Sequence, residues 1–529
     1  MSPLNDREKQ NFRGTPMARS AGLIGLMIVL LISLVPLLAN AEQGEPSADE
    51  FSFEPDRAGF RDAMAQSAME WDENELDSVI QLMMDDYHIP GLQAVITLHD
   101  SVVWTGSYGY MNAAQTVPVT DSTLFVTASI SKTVLSDAVL QCVENGLIDL
   151  DADISDYVGF VVDNPRRWLG IAITPRMIMS HISSIDRNDG SWIPDIVYGY
   201  DWPGDLSQYL EDYLVPGGPT YVETNYLNVD PGTYFEYSNY AYCLLAVAVE
   251  NVTGMALDDY ARDSIFTPLG MNNSSWWLAN LDTNRIAMPL EYNDVSETYE
   301  AIGHVSHPLW PAGTLRTSAR QLARHLCLLP QRGYLNGQRV LDSATVEQVI
   351  TPHYPDTLTE YNLGWWSIDF SDGPVFGHTG GLPGCGTVEF VDPSMGTGVI
   401  VFMNALYNVG IVYIFNTIWE FGRDPDGDGI INGYDNCNDA YNPGQEDFDG
   451  DGVGDACCCL PPTVGDVDQS GVVDITDISI MVDNQFLTLT PLDCLQEGDM
   501  DLSGGVDITD ISILIDNQFL TLTPLPPCP

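Results

Sequence analysis

The chain has almost no lysine. Its 529 residues include 75 acidic and 19 basic side chains, and only two of the basic ones are lysines, Lys9 and Lys132. The net charge of -56 repels nucleic acid and anionic membrane surfaces, so we expect neither as a partner. Divalent cations suit this charge, although an acidic surface would also serve solubility in a salty medium.

Cysteine is scarce in most of the chain. Four of the ten cysteines precede residue 430, and the other six are Cys437, Cys457, Cys458, Cys459, Cys494 and Cys528. In an exported chain these residues permit disulfides. We therefore expect disulfides mostly near the C-terminus, with a pairing that the spacing leaves open.

The N-terminus has the composition of a secretory leader. Basic residues precede an apolar run, residues 23–38, that ends in Ala39-Asn40-Ala41, a small-residue cleavage pattern. This predicts a signal peptide over residues 1–41, with the protein secreted or attached to the cell surface. The alternative is an uncleaved anchor helix, because the run approaches the length of a membrane span. Residues 42–72 are polar and acidic, as is typical of a linker.

Residues 73–422 alternate strand-like and helical patterns. The sequence predicts an α+β domain, in which an antiparallel sheet flanked by helices pairs late strands with the two N-terminal ones. The predicted strands are 92–98, 101–108, 362–370, 375–379, 387–391 and 398–404, and the predicted helices include 132–144, ending near Gly146, and 410–421.

Lys132 lies three residues after Ser129, at the predicted start of a helix. Residues at i and i+3 share a helix face, so both side chains would project together. A serine hydroxyl is a poor nucleophile until a neighbour accepts its proton, and an amine can do so or can stabilise another base. A surface lysine in an ordinary i,i+3 pair is the alternative.

Two further segments complete a pattern. Tyr237-Ser238-Asn239 and His378-Thr379-Gly380-Gly381 follow Ser129-Ile130-Ser131-Lys132 in that order. Together with framework segments such as ITPRMIMSHISS and PAGTLRTSARQLARHL, they resemble the serine beta-lactamase and penicillin-binding protein family, in its class C beta-lactamase and D-alanyl-D-alanine carboxypeptidase or esterase branch. The resemblance implies that family's fold, with a helical subdomain beside the sheet.

The resemblance also implies roles for these residues. Ser129 would be the acylated nucleophile, with Lys132 its partner in proton transfer. Tyr237 would be a second base and the acid for the leaving group, and Asn239 would orient Lys132 and the substrate amide. The backbone N–H groups of Ser129 and Gly381 would form the oxyanion hole. Which of Lys132 and Tyr237 takes the first proton stays open, as does the direction of the lysine's pKa shift.

His378 departs from the class C pattern, which has lysine at this position. The resemblance therefore favours peptidase or esterase chemistry over lactam hydrolysis. His181 matches a framework position, and we interpret it as structural. His304 and His307 lie close enough in sequence to suggest metal ligands, but no supporting histidine or cysteine pattern follows, so we favour a role in a loop.

From Asp424 onward the chain contains neither lysine nor arginine. Residues 423–459 resemble thrombospondin type 3 repeats, in which glycines permit tight turns and a hard cation neutralises crowded carboxylates. The resemblance implies calcium ligation by Asp424, Asp426, Asp428, Asp435, Asp447, Asp449, Asp451 and Asp455. A disordered acidic linker is the alternative.

Residues 460–529 contain an internal repeat. The segment that starts at Gly465 recurs from Gly498 with near identity. The copies resemble a dockerin type I module of paired EF-hand-like loops, each followed by a helix. The implied calcium ligands are Asp466, Asp468, Ser470, Asp474 and Asp477 in the first copy, and Asp499, Asp501, Ser503, Asp507 and Asp510 in the second.

Such modules bind cohesin domains through the helices after the loops. The pairs Ile475-Thr476 and Ile508-Thr509 are identical in both copies, at positions that often carry partner specificity. We therefore expect a cohesin-like protein partner or attachment at the cell surface. A calcium-stabilised spacer is the alternative.

The sequence thus predicts an exported serine hydrolase that acts through an acyl-enzyme on D-amino-acid peptides, esters or beta-lactams. A calcium-dependent C-terminal module would tether it, and the catalytic site would need no cofactor. The competing interpretation is a catalytically silent binding or scaffold protein that keeps the fold.

Overall fold

The computed structural model describes residues 73–526, apart from short internal gaps. The gaps are residues 168–169, 187–194, 356–359, 371–372, 439, 446–453, 455–456, 458–463, 468–471, 488–491, 493, 502 and 504. The predicted signal peptide and linker, residues 1–72, therefore lie outside the described residues. So do Asp447, Asp449, Asp451, Asp455, Asp468 and Ser470 among the predicted calcium ligands.

An antiparallel sheet of seven strands forms the centre of the fold. Its strand order is β11-β12-β13-β14-β15-β1-β2. The strands of this sheet are β1 (Gly91–Leu98), β2 (Ser101–Gly109), β11 (Tyr361–Asn362), β12 (Trp365–Phe370), β13 (Gly373–Leu382), β14 (Cys385–Val391) and β15 (Thr397–Met403). Four pairs of short strands lie outside it: β3 (Phe125–Val126) with β8 (Arg316–Thr317), β4 (Val197–Tyr198) with β7 (Val305–Ser306), β5 (Leu290–Asn293) with β6 (Thr298–Ala301), and β9 (Tyr334–Leu335) with β10 (Gln338–Arg339).

The predicted pairing of late strands with the N-terminal pair is confirmed. Strand β15 pairs with β1 in the register Leu92↔Met403 to Leu98↔Thr397, which closes the sheet between the two ends of the domain. The predicted strand 362–370 is wrong in one respect, because a turn divides it into β11 and β12. Gly364 occupies that turn with φ of 92°, a conformation that glycine adopts readily.

Fourteen α-helices are found among the described residues. They are α1 (Glu73–Asp86), α2 (Ser131–Glu144), α3 (Ser155–Val158), α4 (Pro175–Met179), α5 (Leu206–Leu214), α6 (Asn239–Thr253), α7 (Leu257–Ala261), α8 (Thr267–Leu269), α9 (Ala319–Leu326), α10 (Ser343–Val349), α11 (Val409–Gly422), α12 (Ile475–Val482), α13 (Leu495–Gly498) and α14 (Ile508–Ile515). Helices α2 and α11 confirm the two predicted helices to within one residue at each end.

Both faces of the sheet are buried. Successive strand residues point to opposite faces, so Val95 and Ile400 join the core formed with α2, α6 and α9. Ala94 and Val401 instead join the core formed with α1 and α11. Each fully buried aliphatic or aromatic side chain contributes about 1.5–3 kcal/mol. The two cores together make the sheet a rigid support for the residues at its surface.

The C-terminal repeats have a small core of their own. Met481 on α12 and Leu514 on α14 are fully buried in it. Before the repeats, a disulfide joins Cys437 to Cys457, and Cys494 is disulfide-bonded as well. This confirms the expectation of C-terminal disulfides, while Cys142, Cys243, Cys327 and Cys385 are free and buried.

No single helix among the described residues is long and apolar enough to cross a membrane. The bent pair Asn239–Thr253 and Leu257–Leu269 would suffice by length and composition. Most of the first of these helices is buried in the core.

Candidate active site

Ser129 lies in a short 3₁₀ turn, Ala128–Ile130, that leads directly into α2. The turn is fixed by Ser131, whose hydroxyl donates to the Ala128 carbonyl at 2.6 Å and accepts from the Leu315 N–H at 3.1 Å. Ala128 has φ of 48°, a left-handed conformation that is unusual for a residue with a Cβ. Ser129 itself is partly exposed, in contrast to its buried neighbours Ala128 and Ile130.

Lys132 is fully buried beneath this serine. Its Nζ donates to Ser129 Oγ at 3.0 Å and to the Ala312 carbonyl at 2.8 Å. Burial lowers the pKa of Lys132 from 10.5 to about 7, because a charged ammonium is poorly solvated in the interior. The sequence left open whether the pKa of Lys132 is raised or lowered, and in the structure it is lowered. A large fraction of the amine is therefore neutral at pH 7.

Tyr237 covers the other side of the lysine. Its ring centroid is 4.9 Å from Lys132 Nζ. Burial raises the pKa of the phenol well above 10, Tyr361 raises it further, and the nearby Ser129 hydroxyl opposes the shift. The phenol oxygen is buried and makes no hydrogen bond of normal geometry to a described residue. Tyr237 is therefore protonated at neutral pH.

His181, which the sequence indicated to be structural, supports Tyr237. The two rings stack with centroids 4.2 Å apart and an interplanar angle of 28°. His181 Nδ1 accepts from the Ser238 N–H at 3.2 Å, and the His181 carbonyl accepts from the Glu236 N–H at 2.8 Å. These contacts fix the backbone on both sides of the tyrosine.

Asn239 begins α6, which Ser238 caps by accepting from the Ala241 N–H at 3.2 Å. The predicted contact between Asn239 and Lys132 does not form: in the described part of the chain, Lys132 donates to Ser129 and Ala312. The role of Asn239 toward a substrate stays a prediction.

Strand β13 brings the last motif to the site. Its pairing with β12 ends at Gly377, so in the described structure residues 378–382 pair with β14 as their strand neighbour. The strand passes very close to the serine. A Cβ on Gly380 would lie 2.6 Å from the Thr127 carbonyl oxygen and 2.9 Å from the Ser129 nitrogen. Only glycine permits this approach, which brings Gly381 next to the serine turn.

His378 is buried and uncharged. Its Nδ1 lies 2.5 Å from the Thr379 carbonyl oxygen, and its Nε2 has no hydrogen-bond partner among the described residues. Burial, and then the nearby Lys132, lower the pKa of His378 to about 3. This position therefore carries no positive charge at neutral pH.

Two contributions to the site were missed in the sequence. Ala312 contributes only a backbone carbonyl, which no side-chain pattern signals. His307 lies in a loop, as expected, but it is also buried close enough to Lys132 for the amine to lower its pKa, after burial, to about 3. Neither His304 nor His307 belongs to a group of potential metal ligands among the described residues.

The first acidic segment brings three predicted calcium ligands together. Carboxylate oxygens of Asp424, Asp426 and Asp428 lie within 4.8 Å of one another. Asp426 Oδ2 is buried without a hydrogen-bond partner in the described structure, as is Asp435 Oδ2. An oxygen in that position suits a hard cation.

The second repeat forms a similar group from Asp499, Asp501 and Asp510, within the same 4.8 Å. Asp510 also accepts from the Asp501 N–H at 3.1 Å, and the Ser503 N–H donates to Asp499 at 2.9 Å. In the first repeat, Asp466 and Asp477 are buried, while Asp468 and Ser470 lie outside the described residues.

The remaining predicted ligands, Asp474 and Asp507, have a clear structural role. Each caps its helix by accepting from the N–H of Thr476 or Thr509 at 2.6 Å. The identical Ile475 and Ile508 are 62% and 57% exposed, so both copies present the same apolar residue at the start of a helix.

Comparison with known proteins places this geometry in a family. The family model described as Beta-lactamase matches residues 76–413. The chain is 24% identical over 344 residues to an unguisins hydrolase from Aspergillus campestris, and this alignment covers 62% of this chain and 61% of that protein. It is 26% identical over 325 residues to Penicillin-binding protein 4 from Amycolatopsis lactamdurans, and this alignment covers 60% of this chain and 80% of that protein.

A solved structure shows the same fold. The octameric penicillin-binding protein homologue from Pyrococcus abyssi matches with a TM-score of 0.53 and 21% identity, over 67% of this chain and 79% of that one. The chain spans only 61 to 63% of the length of several curated relatives that it matches. The match covers the domain that contains Ser129, Lys132, Tyr237 and His378, and the chain therefore belongs to the beta-lactamase family of serine hydrolases, which includes penicillin-binding proteins.

Proposed function

We propose that residues 73–422 hydrolyse esters and D-amino-acid peptides through an acyl-enzyme on Ser129. The observation that carries this proposal is the contact of 3.0 Å between Lys132 Nζ and Ser129 Oγ. The buried amine has a pKa of about 7, so it can accept a proton from the serine at neutral pH.

The proposed acylation starts with neutral Lys132. Its amine takes the proton of Ser129 as Oγ bonds to the substrate carbonyl carbon, and the carbonyl electron pair moves to oxygen. The N–H groups of Ser129, in the turn before α2, and of Gly381, on β13, would stabilise that oxyanion. Collapse of the intermediate breaks the bond to the leaving group.

Tyr237 would act as the acid in this sequence. Because its phenol is protonated at neutral pH, it can give its proton to the departing amine or alkoxide, and the lysine ammonium can restore it. A water molecule then attacks the acyl-enzyme, releases the acid product and returns the proton to Ser129. Lys132 is thus the first base in this proposal.

His378 guides the substrate class. Class C enzymes have a lysine here, whereas this chain has a buried, neutral histidine. A neutral imidazole attracts a substrate carboxylate less than an ammonium does, which favours esters, amides and peptides without a carboxylate at this position over beta-lactams, which carry one.

Active-site labelling tests the proposal. We expect a fluorophosphonate probe to label the full chain, and Ser129→Ala to abolish both the label and the hydrolysis of p-nitrophenyl esters. Ser131→Ala is not a suitable control, because Ser131 holds the serine turn. Ser101→Ala is a suitable control, because Ser101 lies at an exposed position of β2. If the native chain is neither labelled nor active on these esters, it is a silent scaffold, and if Ser129→Ala retains full esterase activity, Ser129 is not the nucleophile.

We further propose that the protein is exported and that residues 423–459 and 460–529 bind calcium. The basic and apolar composition of residues 1–41 supports export. Two clusters of carboxylate oxygens support calcium binding, one with Asp424, Asp426 and Asp428 and one with Asp499, Asp501 and Asp510. Calcium would neutralise the crowded carboxylates and hold the loops together. The exposed Ile475 and Ile508 support attachment to a cohesin-like partner through either repeat.

Calcium titration of the full chain by calorimetry tests this part. We expect binding heat that a chelator reverses, together with a higher melting temperature, because a ligand that binds only the folded state stabilises it. Absence of both effects would refute the calcium assignment and leave the catalytic proposal untouched.

A further inference from the structure

Three ionisable side chains lie in the interior behind the candidate active site. Asp137 is on α2, His325 is on α9 and Glu389 is on β14, and none is more than 2% exposed. Charged groups are rarely buried unless they are paired, because the interior solvates them poorly. The proposed reaction uses none of the three.

Asp137 and His325 form an ion pair. His325 Nε2 lies 3.0 Å from Asp137 Oδ2. Burial lowers the pKa of His325, but the Asp137 carboxylate outweighs this effect, so the pKa is raised overall. Glu389 also favours the charged form of His325, but the histidine makes its close contact with Asp137, so it offsets a charge on Glu389 only in part.

Glu389 contacts the helix of the catalytic lysine. Its Oε1 lies 2.9 Å from the hydroxyl oxygen of Thr133, the residue after Lys132. The same hydroxyl oxygen lies 2.9 Å from the Ile130 carbonyl oxygen. Glu389 Oε2 is buried and has no hydrogen-bond partner among the described residues.

The single hydrogen of the Thr133 hydroxyl indicates that the Glu389 carboxyl is protonated. A hydroxyl has one hydrogen, so it can donate to Ile130 or to an ionised Glu389, but not fully to both. If Glu389 is protonated, its O–H donates to the Thr133 oxygen and Thr133 donates to the Ile130 carbonyl. Both contacts are then satisfied, and no unsolvated negative charge remains.

Glu389 is also next to the strand of the oxyanion hole. It is the direct cross-strand partner of His378 on β13, and such partners project on the same face of a sheet. On its other side it is paired with Ile400 of β15. The ionisable groups that face it are thus Asp137 from α2, His325 from α9 and His378 from β13.

We propose that Glu389 is a positioning residue whose protonated carboxyl holds Thr133, and through it the turn that carries Ser129 and Lys132, against the strand of His378. Loss of this proton places a negative charge in the buried interior, which His325 offsets only in part and Asp137 opposes, and it breaks the chain of donors to Ile130. The turn and the strand then separate, and Ser129 and Gly381 lose their alignment. Burial raises the pKa of Glu389 to about 7, so this change occurs near neutral pH.

The raised pKa of Glu389 determines how the stability of the folded state changes with pH. A carboxyl whose pKa is raised on folding stabilises the folded state fully below its unfolded pKa, and the stabilisation is lost as pH rises through the folded value. The equilibrium constant for folding should fall by up to about tenfold per pH unit between pH 4.5 and 7, as expected when the folded state binds one more proton than the unfolded state.

The test compares the full chain with Glu389→Gln, since glutamine can donate as the protonated acid does but cannot ionise. Thermal unfolding from pH 5 to 9 gives the stability difference between the two proteins, in which the effects of Lys132 and of other carboxyls cancel. We expect the native chain to lose stability relative to Glu389→Gln as pH rises to 7, and then to level off. Parallel curves would overturn the proposal.

The rate of acylation gives a second readout, which rests on the proposed function. We expect the rate of the native chain to fall above pH 7, and that of Glu389→Gln to rise to a plateau there as Lys132 loses its remaining protons. An alkaline limb that is identical in both proteins would contradict a positioning role. Because the unfolding curves require no substrate, they test Glu389 even if Ser129 proves to be unreactive.

A pair of variants at Thr133 covers the case in which Glu389→Gln does not fold. Thr133→Ser keeps the hydroxyl, and Thr133→Val removes it with little change in shape. We expect Thr133→Ser to keep kcat and its pH profile, and Thr133→Val to lower kcat at least about tenfold with little change in KM. Equal kcat in the two variants would overturn the proposal.

Discussion

The pH dependence of acylation below neutrality follows directly from the environment of Lys132. A lysine with a pKa of 10.5 would have roughly one neutral amine in 3,000 at pH 7. With a pKa of about 7, half of the amines are neutral. The shift corresponds to about 5 kcal/mol of preference for the neutral amine, which the buried position supplies.

The expected rates can be worked from the neutral fraction. It is about 1% at pH 5, about 9% at pH 6 and about 50% at pH 7. If neutral Lys132 is the base, the single-turnover rate with a p-nitrophenyl ester should rise about 50-fold from pH 5 to pH 7. A stopped-flow burst of p-nitrophenol measures this rate.

Lys132→Arg is the matched variant, because arginine keeps the positive charge but does not lose its proton. We expect the rate to fall by about 10²–10⁴-fold and the rise between pH 5 and pH 7 to disappear. A native rate that is flat from pH 5 to pH 7, or a variant rate within tenfold of the native one, would refute Lys132 as the base.

Three further results are expected. Tyr237→Phe should fold normally yet lower the rate of leaving-group departure by about 10²–10⁴-fold in rapid-quench measurements, and unchanged turnover would exclude it as the acid. Gly380→Ala should lower esterase activity, because the new methyl group collides with the Ser129 backbone. The control Gly505→Ala should not, because its methyl group has no neighbour within 4 Å, and equal activities in the two variants would contradict the close approach of β13 to the serine turn. Asp510→Asn should reduce the heat of calcium binding and the calcium-induced rise in melting temperature, and an unchanged titration would remove Asp510 from the ligand set.

Local sequence patterns were enough to predict much of the fold. Short, mostly apolar runs between turn residues predicted β1, β14 and β15 to within two residues, as is typical of strands that are buried on both faces. The spacing of Ser129 and Lys132 predicted their contact, since three residues bring side chains to one face of a helical turn. The turn at Gly364 was missed because one continuous apolar pattern spans both strands.

The missing parts of the site depend on tertiary packing. The carbonyl of Ala312 reaches Lys132 through a backbone group that no side chain signals. The direction of the lysine's pKa shift depends on burial, which the sequence around residue 132 does not define. Asp137, His325 and Glu389 are far apart in the chain, and each alone resembles an ordinary polar residue of a helix or strand.

Ser129 should become covalently acylated with the help of Lys132. Intact-mass spectrometry of the full chain, quenched during turnover of a slow ester, detects this acyl-enzyme. We expect one acyl group per chain, mapped by peptic digestion to the peptide with Ser129 and absent from Ser129→Ala. Turnover without an adduct, or an adduct on any other residue, would contradict it.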